Sequence, residues 1–322
     1  MAYTLSSSPK GVHFSSMAAP SLQALLTGAI DYAGLFPPAT LPLNAALKNH
    51  AEYVRSNDAW MLSAFVLPVG KFSDVSDHLG HFEQQYPLRI SALIGKPEDG
   101  GNFADKVSAA IAAIRGLRES DTNGRTSIAQ IEIALPSGFD TALLGELQSI
   151  GRELDVRIFC EAPPNEAAHA IALIAQNDTT KDAPLGYKLR TGGVTADAFP
   201  TSDVIARALV AAARDQVPIK FTAGLHHPIR QFRDEVKGKM YGFLNVLGAG
   251  VLAAEHSWDE AITAQMLEDE DPRSFVFDGG TFKWRNWQIT ADSIKTRRQL
   301  VTSFGSCSFD EPREDLRSLH LM

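Results

Sequence analysis

Short apolar runs alternate along the chain with longer segments in which the apolar residues recur at helical spacing. The runs are rich in Ile, Val and Phe, a composition typical of strands that are buried on both faces of a parallel sheet. Seven runs follow one another, at residues 28–35, 59–68, 88–96, 129–136, 156–163, 185–192 and 218–224. The pattern therefore predicts seven consecutive buried strands.

The segments between these runs predict helices. Ile205, Leu209 and Ala212, for example, recur at intervals that place them on one face of a helix. The predicted helices cover residues 43–55, a stretch up to 85, 102–118, 141–154, 165–176 and 201–215. The sequence contains neither the GxGxxG fingerprint of open dinucleotide-binding sheets nor the GxxxxGK[ST] phosphate loop. Repeated strand–helix units without these motifs favour a (β/α)8 TIM barrel, with an N-terminal arm and a C-terminal extension.

Two segments compete for the eighth strand of this barrel. Residues 243–254 favour a helix and residues 274–284 favour a strand or hairpin, so we predict strand eight in the second segment. Residues 290–300 predict a further helix, and the tail that follows them predicts a loop that packs back on the barrel. The predicted organisation is a flexible arm over residues 1–20, the barrel over 21–300 and the packed tail over 301–322.

Composition and charge narrow the function classes. The 322 residues carry 30 Lys and Arg against 38 Asp and Glu, a net charge of −8 without a basic cluster, which argues against nucleic acid. No apolar run reaches the ~18 residues that span a bilayer, and the polar start lacks a secretory core, which argues against membrane association. Two distant cysteines favour a reducing, cytoplasmic setting. We expect a small-molecule substrate, and a homodimer is compatible with the acidic composition.

Polar residues near the carboxyl ends of the predicted strands are the candidates for chemistry, because barrel enzymes act at that end. The candidates are Asp31, Glu132, Glu161, Lys188, Arg190, Lys220, Thr222, His226 and His227. Strand alternation places the apolar neighbours of Glu132, Lys188 and Lys220 toward the helices and these three side chains toward the barrel interior. Charged side chains in such positions need partners.

Two lysines in one barrel suggest covalent chemistry. Because like charges repel, at least one of Lys188 and Lys220 is expected to have a lowered pKa. A neutral lysine attacks a carbonyl carbon and forms a Schiff base, and a carboxylate such as Glu132 moves the protons that this requires. The alternative is an ion-pair network in which Glu132 and Glu161 neutralise the lysines and Arg190.

Five segments carry a resemblance to a known family. KLRTGG at 188–193 and KFTAGL at 220–225 resemble the two lysine segments of the deoxyribose-phosphate aldolases, which are Schiff-base barrel enzymes. QIEIAL at 130–135, RISALIGKP at 89–97 and VRIFCEAP at 156–163 are similar to that family's strands four, three and five. The resemblance implies that Lys188 forms the Schiff base, that Lys220 lowers its pKa and that Glu132 transfers protons.

The sequence departs from that family where a phosphate would bind. Arg190 replaces a small hydroxyl residue, and GLHHPIR at 224–230 replaces a glycine-rich phosphate segment. A guanidinium fits a carboxylate, so a carboxylate-bearing substrate held by Arg190 or Arg230 is expected instead of a sugar phosphate. IDYAGLFPPA, AGLHHP and SFGSCSFDEP are in addition similar to segments of a family of uncharacterised bacterial proteins, and that similarity implies no activity.

The function prediction is a Schiff-base aldolase or lyase that acts on a small carbonyl compound without a cofactor. Asp31, Glu161, Arg190, Thr222, His226, His227 and Arg230 are expected to bind or orient the substrate. Two alternatives stay open. One is a metal-assisted hydrolase or isomerase that uses His226, His227, Glu161 and Asp31. The other is a barrel that binds an anionic metabolite without turnover.

Overall fold

Eight parallel strands close into a barrel in the computed structural model, which describes residues 18–95, 102–177 and 185–322. The strands, in chain order, are β1 Ile30–Tyr32, β2 Leu62–Pro68, β3 Leu88–Ile94, β4 Thr126–Ala134, β5 Arg157–Glu161, β6 Leu185–Arg190, β7 Ile219–Thr222, β8 Gln231–Arg233, β9 Gly238–Met240, β10 Phe275–Phe277, β11 Thr281–Trp284, β12 Trp287–Thr290 and β13 Val301–Ser306. The barrel order is β1-β13-β7-β6-β5-β4-β3-β2, and β1 pairs with β2 to close it. The predicted (β/α)8 TIM barrel is confirmed.

Helices surround this barrel. Those in the described residues are α1 Pro20–Leu26, α2 Leu43–Tyr53, α3 Phe72–Val75, α4 Phe103–Ser120, α5 Thr141–Leu154, α6 Ala167–Asn177, α7 Ser202–Asp215, α8 Phe243–His256, α9 Glu260–Leu267, α10 Ala291–Arg297 and α11 Asp310–Ser318. Their apolar faces pack on the outer side of the strands, where Ile131, Tyr187 and Phe221 are buried in the core. The predicted alternation of strand side chains is therefore realised.

The eighth barrel strand is β13, so the prediction of strand eight at residues 274–284 is wrong. That segment forms β10 and β11, which pair with β12 in a separate antiparallel sheet. A turn favours this hairpin, because the backbone amides of Gly280 and Thr281 both donate to the Asp278 carboxylate. The barrel wall extends to Ser306, beyond the boundary predicted at residue 300.

Small polar residues explain why β13 was predicted as a loop. Its inward positions hold Ser303 and Gly305 instead of large apolar side chains, so the strand lacks a hydrophobic signal. The next residues, predicted as part of the same loop, form the helix α11, whose Leu316 is buried. Residues 243–254 and 290–300 do contain helices, α8 and α10.

The described residues leave parts of two predictions untested. Most of the predicted arm, residues 1–17, lies outside them, whereas Ala18 is buried and α1 begins at Pro20. Residues 96 and 97, the end of the predicted third strand and of its aldolase-like segment, also lie outside.

Gly186 on β6 is required by close packing inside the barrel. A Cβ atom there would lie 2.6 Å from the Phe159 ring and 2.8 Å from the Pro218 carbonyl oxygen. We expect Gly186→Ala to lower the free energy of unfolding by about 1–3 kcal/mol, because the carbonyl cannot move without disturbing the strand. Denaturant unfolding measures this effect.

Gly116 provides the matched control. It lies in α4 with nothing within 4 Å of an added Cβ. Gly116→Ala is expected to raise the free energy of unfolding by about 0.5–1 kcal/mol, because alanine loses less backbone entropy in a helix than glycine does. Equal effects of the two substitutions would contradict the packing argument.

Candidate active site

Four charged side chains on neighbouring strands meet in the barrel interior. In the strand register, Lys188 on β6 is paired with Glu161 on β5 and with Lys220 on β7. Glu132 on β4 is paired with Phe159, two residues before Glu161. Since these side chains alternate with outward apolar residues, the register directs them into the same interior.

Alternating charges form a continuous chain across the barrel. Lys220 contacts Asp31 at 2.8 Å and also pairs with Glu132. Lys188 Nζ lies 2.8 Å from Glu132 Oε2 and 2.8 Å from Glu161 Oε2. The chain ends at Arg190, whose Nε lies 3.4 Å from Glu161 Oε1. The order is therefore Asp31, Lys220, Glu132, Lys188, Glu161 and Arg190.

Neutral side chains complete this network. Ser303 donates to Asp31 at 2.6 Å, and Ser91 donates to Glu132 at 2.6 Å. Gln130 donates to both Asp31 and Ser91. Sequence reasoning missed these three residues, although each is a polar residue at an inward position of a strand. That position was the available signal for Gln130, which precedes Glu132 by two residues on β4.

Burial and the neighbouring charges have opposite effects on the pKa values of Lys188 and Glu132. Burial alone would lower the pKa of Lys188, but the charges and hydrogen bonds of Glu132 and Glu161 outweigh it and raise that pKa. Burial alone would raise the pKa of Glu132, but the charges of Lys188 and Lys220 hold that pKa well below its usual range. The prediction that the lysine pair lowers a lysine pKa is therefore wrong for Lys188, because the carboxylates beside it dominate.

A cavity of about 420 Å³ opens onto the network from the carboxyl end of the strands. Glu132, Lys188, Arg190, Lys220, Thr222 and His226 all line it. Its walls also include Phe36, Pro37, Pro38, Val194, Thr195 and Cys307. The volume is that of a small-molecule site, and the buried Lys188 and Lys220 lie at its inner end.

A tight turn after β7 shapes one side of this cavity. Ala223 and Gly224 have φ values of 65° and 78°, in the left-handed region. The Thr191 hydroxyl donates to the Ala223 carbonyl at 2.7 Å and ties the turn to the end of β6. An alanine in that region costs roughly 1–2 kcal/mol, so surrounding contacts hold it there.

A larger cavity, of about 530 Å³, lies at the opposite end of the barrel. Its lining includes Arg157 and Leu185 at the start of their strands, and Leu300 just before β13. Because barrel enzymes place their chemistry at the carboxyl end, the cavity that contains the lysines is the candidate active site.

Two predicted substrate-binding residues lie away from the network. His227 Nδ1 lies 2.6 Å from Asp315 of α11, and Arg230 pairs with Glu270. Both line a different surface depression, together with Gln231. Their assignment to substrate binding is not supported by this placement.

The four predicted metal ligands do not come together either. Asp31 is held by Lys220 and Ser303, and Glu161 is held by Lys188 and Arg190, so neither carboxylate meets a histidine. His226 does line the cavity, but its partners are Glu311 and Cys307. Burial alone would lower the pKa of His226, whereas Cys307 and Glu311 outweigh it and raise the pKa to about 9.

Comparisons with known proteins add little to this geometry. No protein-family model matches the chain, and no curated protein matches it. Among solved structures, the chain is similar to a UMP synthase of Leishmania donovani, with 12% sequence identity and a TM-score of 0.37. The match covers 63% of this chain and 43% of that chain, which is less than half of the solved protein. A likeness at this level carries no argument about function.

None of the helices in the described residues combines the length and the apolar character that a bilayer crossing requires.

Proposed function

We propose that the chain is a carbon–carbon lyase or aldolase that forms a Schiff base between Lys188 and a small carbonyl substrate. The observation that carries the proposal is the position of Lys188. Its ammonium group lies at the inner end of the cavity, contacts Glu132 and Glu161, and is the register neighbour of Lys220. The resemblance to the deoxyribose-phosphate aldolases, which implies roles for Lys188, Lys220 and Glu132, also supports the proposal.

The network supplies the protons for imine formation. In the resting protein Lys188 is an ammonium, because its carboxylate partners raise its pKa. Transfer of that proton to Glu132 or Glu161 gives the neutral amine, which attacks the carbonyl carbon to form a carbinolamine. Loss of water then gives the imine, and a protonated imine accepts the electron pair of a cleaved carbon–carbon bond.

Arg190 favours substrates that carry a carboxylate. Its side chain lines the cavity and is 47% exposed, and within the described residues one contact to Glu161 leaves its other donors available to an anion. A guanidinium binds a carboxylate with two parallel hydrogen bonds. Small keto acids and hydroxy-keto acids are therefore the substrate class we propose.

Reductive trapping tests the proposal. The protein is incubated with a panel of small aldehydes and keto acids, reduced with borohydride and weighed intact, and the modified residue is mapped by peptide mass spectrometry. We expect one adduct per chain, on Lys188. Adducts only on exposed lysines such as Lys295, at the rate of an unrelated protein, would overturn the proposal.

The pH dependence of trapping is expected to show the effect of the neighbouring carboxylates on the pKa of Lys188. Since Lys188 has a raised pKa, its neutral fraction and the trapping rate should increase with pH through the neutral range. Glu161→Gln removes one of the two adjacent negative charges and lowers the pKa of Lys188. The increase in trapping rate should therefore shift to lower pH. Glu166→Gln, at an exposed residue that follows β5, is the matched control and should leave the pH dependence of the trapping rate unchanged.

A further inference from the structure

Three donor atoms of different kinds converge at the mouth of the barrel. They are Nδ1 of His226, Sγ of Cys307 and a carboxylate oxygen of Glu311, and all lie within 4.8 Å of one another. Nδ1 lies 3.6 Å from Sγ and 3.2 Å from Glu311 Oε2. The Schiff-base chemistry proposed above uses none of these groups.

The fold brings the three residues together from distant parts of the chain. His226 follows β7 and Cys307 follows β13, and these two strands are neighbours in the barrel. Glu311 lies in the first turn of α11, where its backbone amide donates to the Ser308 hydroxyl. Cys307 is buried, so its sulfur atom is held against the barrel.

A cysteine–histidine–carboxylate catalytic triad does not fit this geometry. In such a triad the nucleophile contacts one ring nitrogen and the carboxylate contacts the other. Here both Cys307 and Glu311 contact Nδ1 of His226. Three donor atoms within 4.8 Å of one another are instead close enough to share one metal ion.

The separations also suit a tetrahedral ion. Bond lengths of about 2.0–2.3 Å to nitrogen, oxygen and sulfur give donor–donor edges of about 3.3–3.6 Å in a regular tetrahedron. The two edges that meet at His226 Nδ1, 3.2 and 3.6 Å, are close to these lengths. The third edge, from Cys307 to Glu311, is at most 4.8 Å.

We propose that His226, Cys307 and Glu311 form a binding site for one divalent metal ion, with Zn²⁺ as the ion that fits the donors best. The ligand set is one imidazole, one thiolate and one carboxylate, which suits Zn²⁺ and disfavours Mg²⁺ and Ca²⁺ because those ions prefer oxygen alone. On binding, Cys307 Sγ and His226 Nδ1 each release a proton to solvent and each form one bond to the ion.

Such an ion would have an open position beside the active-site cavity. Three protein ligands leave the fourth tetrahedral position for a water molecule or an oxygen atom of a bound molecule, as in catalytic zinc sites. His226 and Cys307 line the same cavity as Lys188 and Lys220. The metal site does not depend on imine formation at Lys188, and the two proposals can fail separately.

Cobalt spectroscopy on the 322-residue chain tests the metal site. The protein is stripped with a chelator and titrated with Co²⁺, which reports a thiolate ligand through a near-ultraviolet charge-transfer band. We expect one equivalent to bind with this band and one equivalent of Zn²⁺ to displace it. Cys307→Ser should abolish the band, and Cys160→Ala, which changes the other buried cysteine, should keep it.

Glu311→Gln gives a second measurement that does not risk the fold, because this side chain is half exposed. Its Zn²⁺ affinity, measured by competition with a chromophoric chelator, should fall by about tenfold or more. Binding without a thiolate band, a band that survives Cys307→Ser or no stoichiometric binding would each overturn the metal site. A cobalt band in a protein that forms no imine would overturn only the Schiff-base function.

Discussion

Replacing Lys188 by methionine is expected to abolish imine trapping and to reduce turnover of the trapped compound by roughly four to six orders of magnitude. Removal of an enzyme nucleophile has effects of this size, because the remaining groups only bind and orient the substrate. Methionine has a similar length and no amine, so the cavity keeps its shape. Intact-protein mass spectrometry after borohydride reduction, together with a turnover assay on the compound that the panel identifies, measures both effects.

The fold of the Lys188→Met protein should persist, because each carboxylate keeps another partner. Glu132 retains Lys220 and the Ser91 hydroxyl, and Glu161 retains Arg190. Unfolding in denaturant should therefore differ little from that of the native protein, which separates lost chemistry from lost structure. Turnover near the native rate in this variant would exclude Lys188 as the nucleophile.

Alternation along each strand made the centre of the site predictable from the sequence. Glu132, Lys188 and Lys220 are charged residues inside apolar strands, and such residues need partners in a packed interior. Because side chains alternate between the two faces of a strand, residues that are two positions apart point the same way. The structure places all three in direct contact through Glu132, as that argument expected.

The contacts outside the central strands could not be predicted from alternation. Asp31 was a candidate because it lies near the end of a predicted strand, but the three residues of β1 are too few to show which way its side chain points. Ser303 lies on a strand that was predicted as a loop, because small hydroxyl residues also occur in turns. Only the closure of β13 against β1 brings Ser303 within 2.6 Å of Asp31.

Charge balance was the second feature that the sequence left open. The two lysines suggested mutual repulsion, but the carboxylates of Glu132 and Glu161 lie directly against Lys188. Distances of 2.8 Å make attraction stronger than repulsion between the two ammonium groups, which share Glu132 as a common partner. The sign of the pKa shift therefore depends on positions that strand patterns do not specify.

Lys220→Met is expected to have the largest effect on stability, a loss of about 3–5 kcal/mol in the free energy of unfolding at neutral pH. Asp31 is fully buried, and Lys220 is the cation that pairs with it among the described residues. Arg298, whose charge also acts near Asp31, donates instead to the Thr27 and Val301 carbonyls. The substitution thus leaves a buried carboxylate without its counter-ion.

Two variants separate this cause from simple repacking. Asp31→Asn added to Lys220→Met should recover much of the loss, because an uncharged amide can still accept from Ser303. Lys188→Met is the matched control, since both of its carboxylates keep a cation. A loss that Asp31→Asn does not reduce would mean that Lys220 stabilises the barrel by packing and not by its charge.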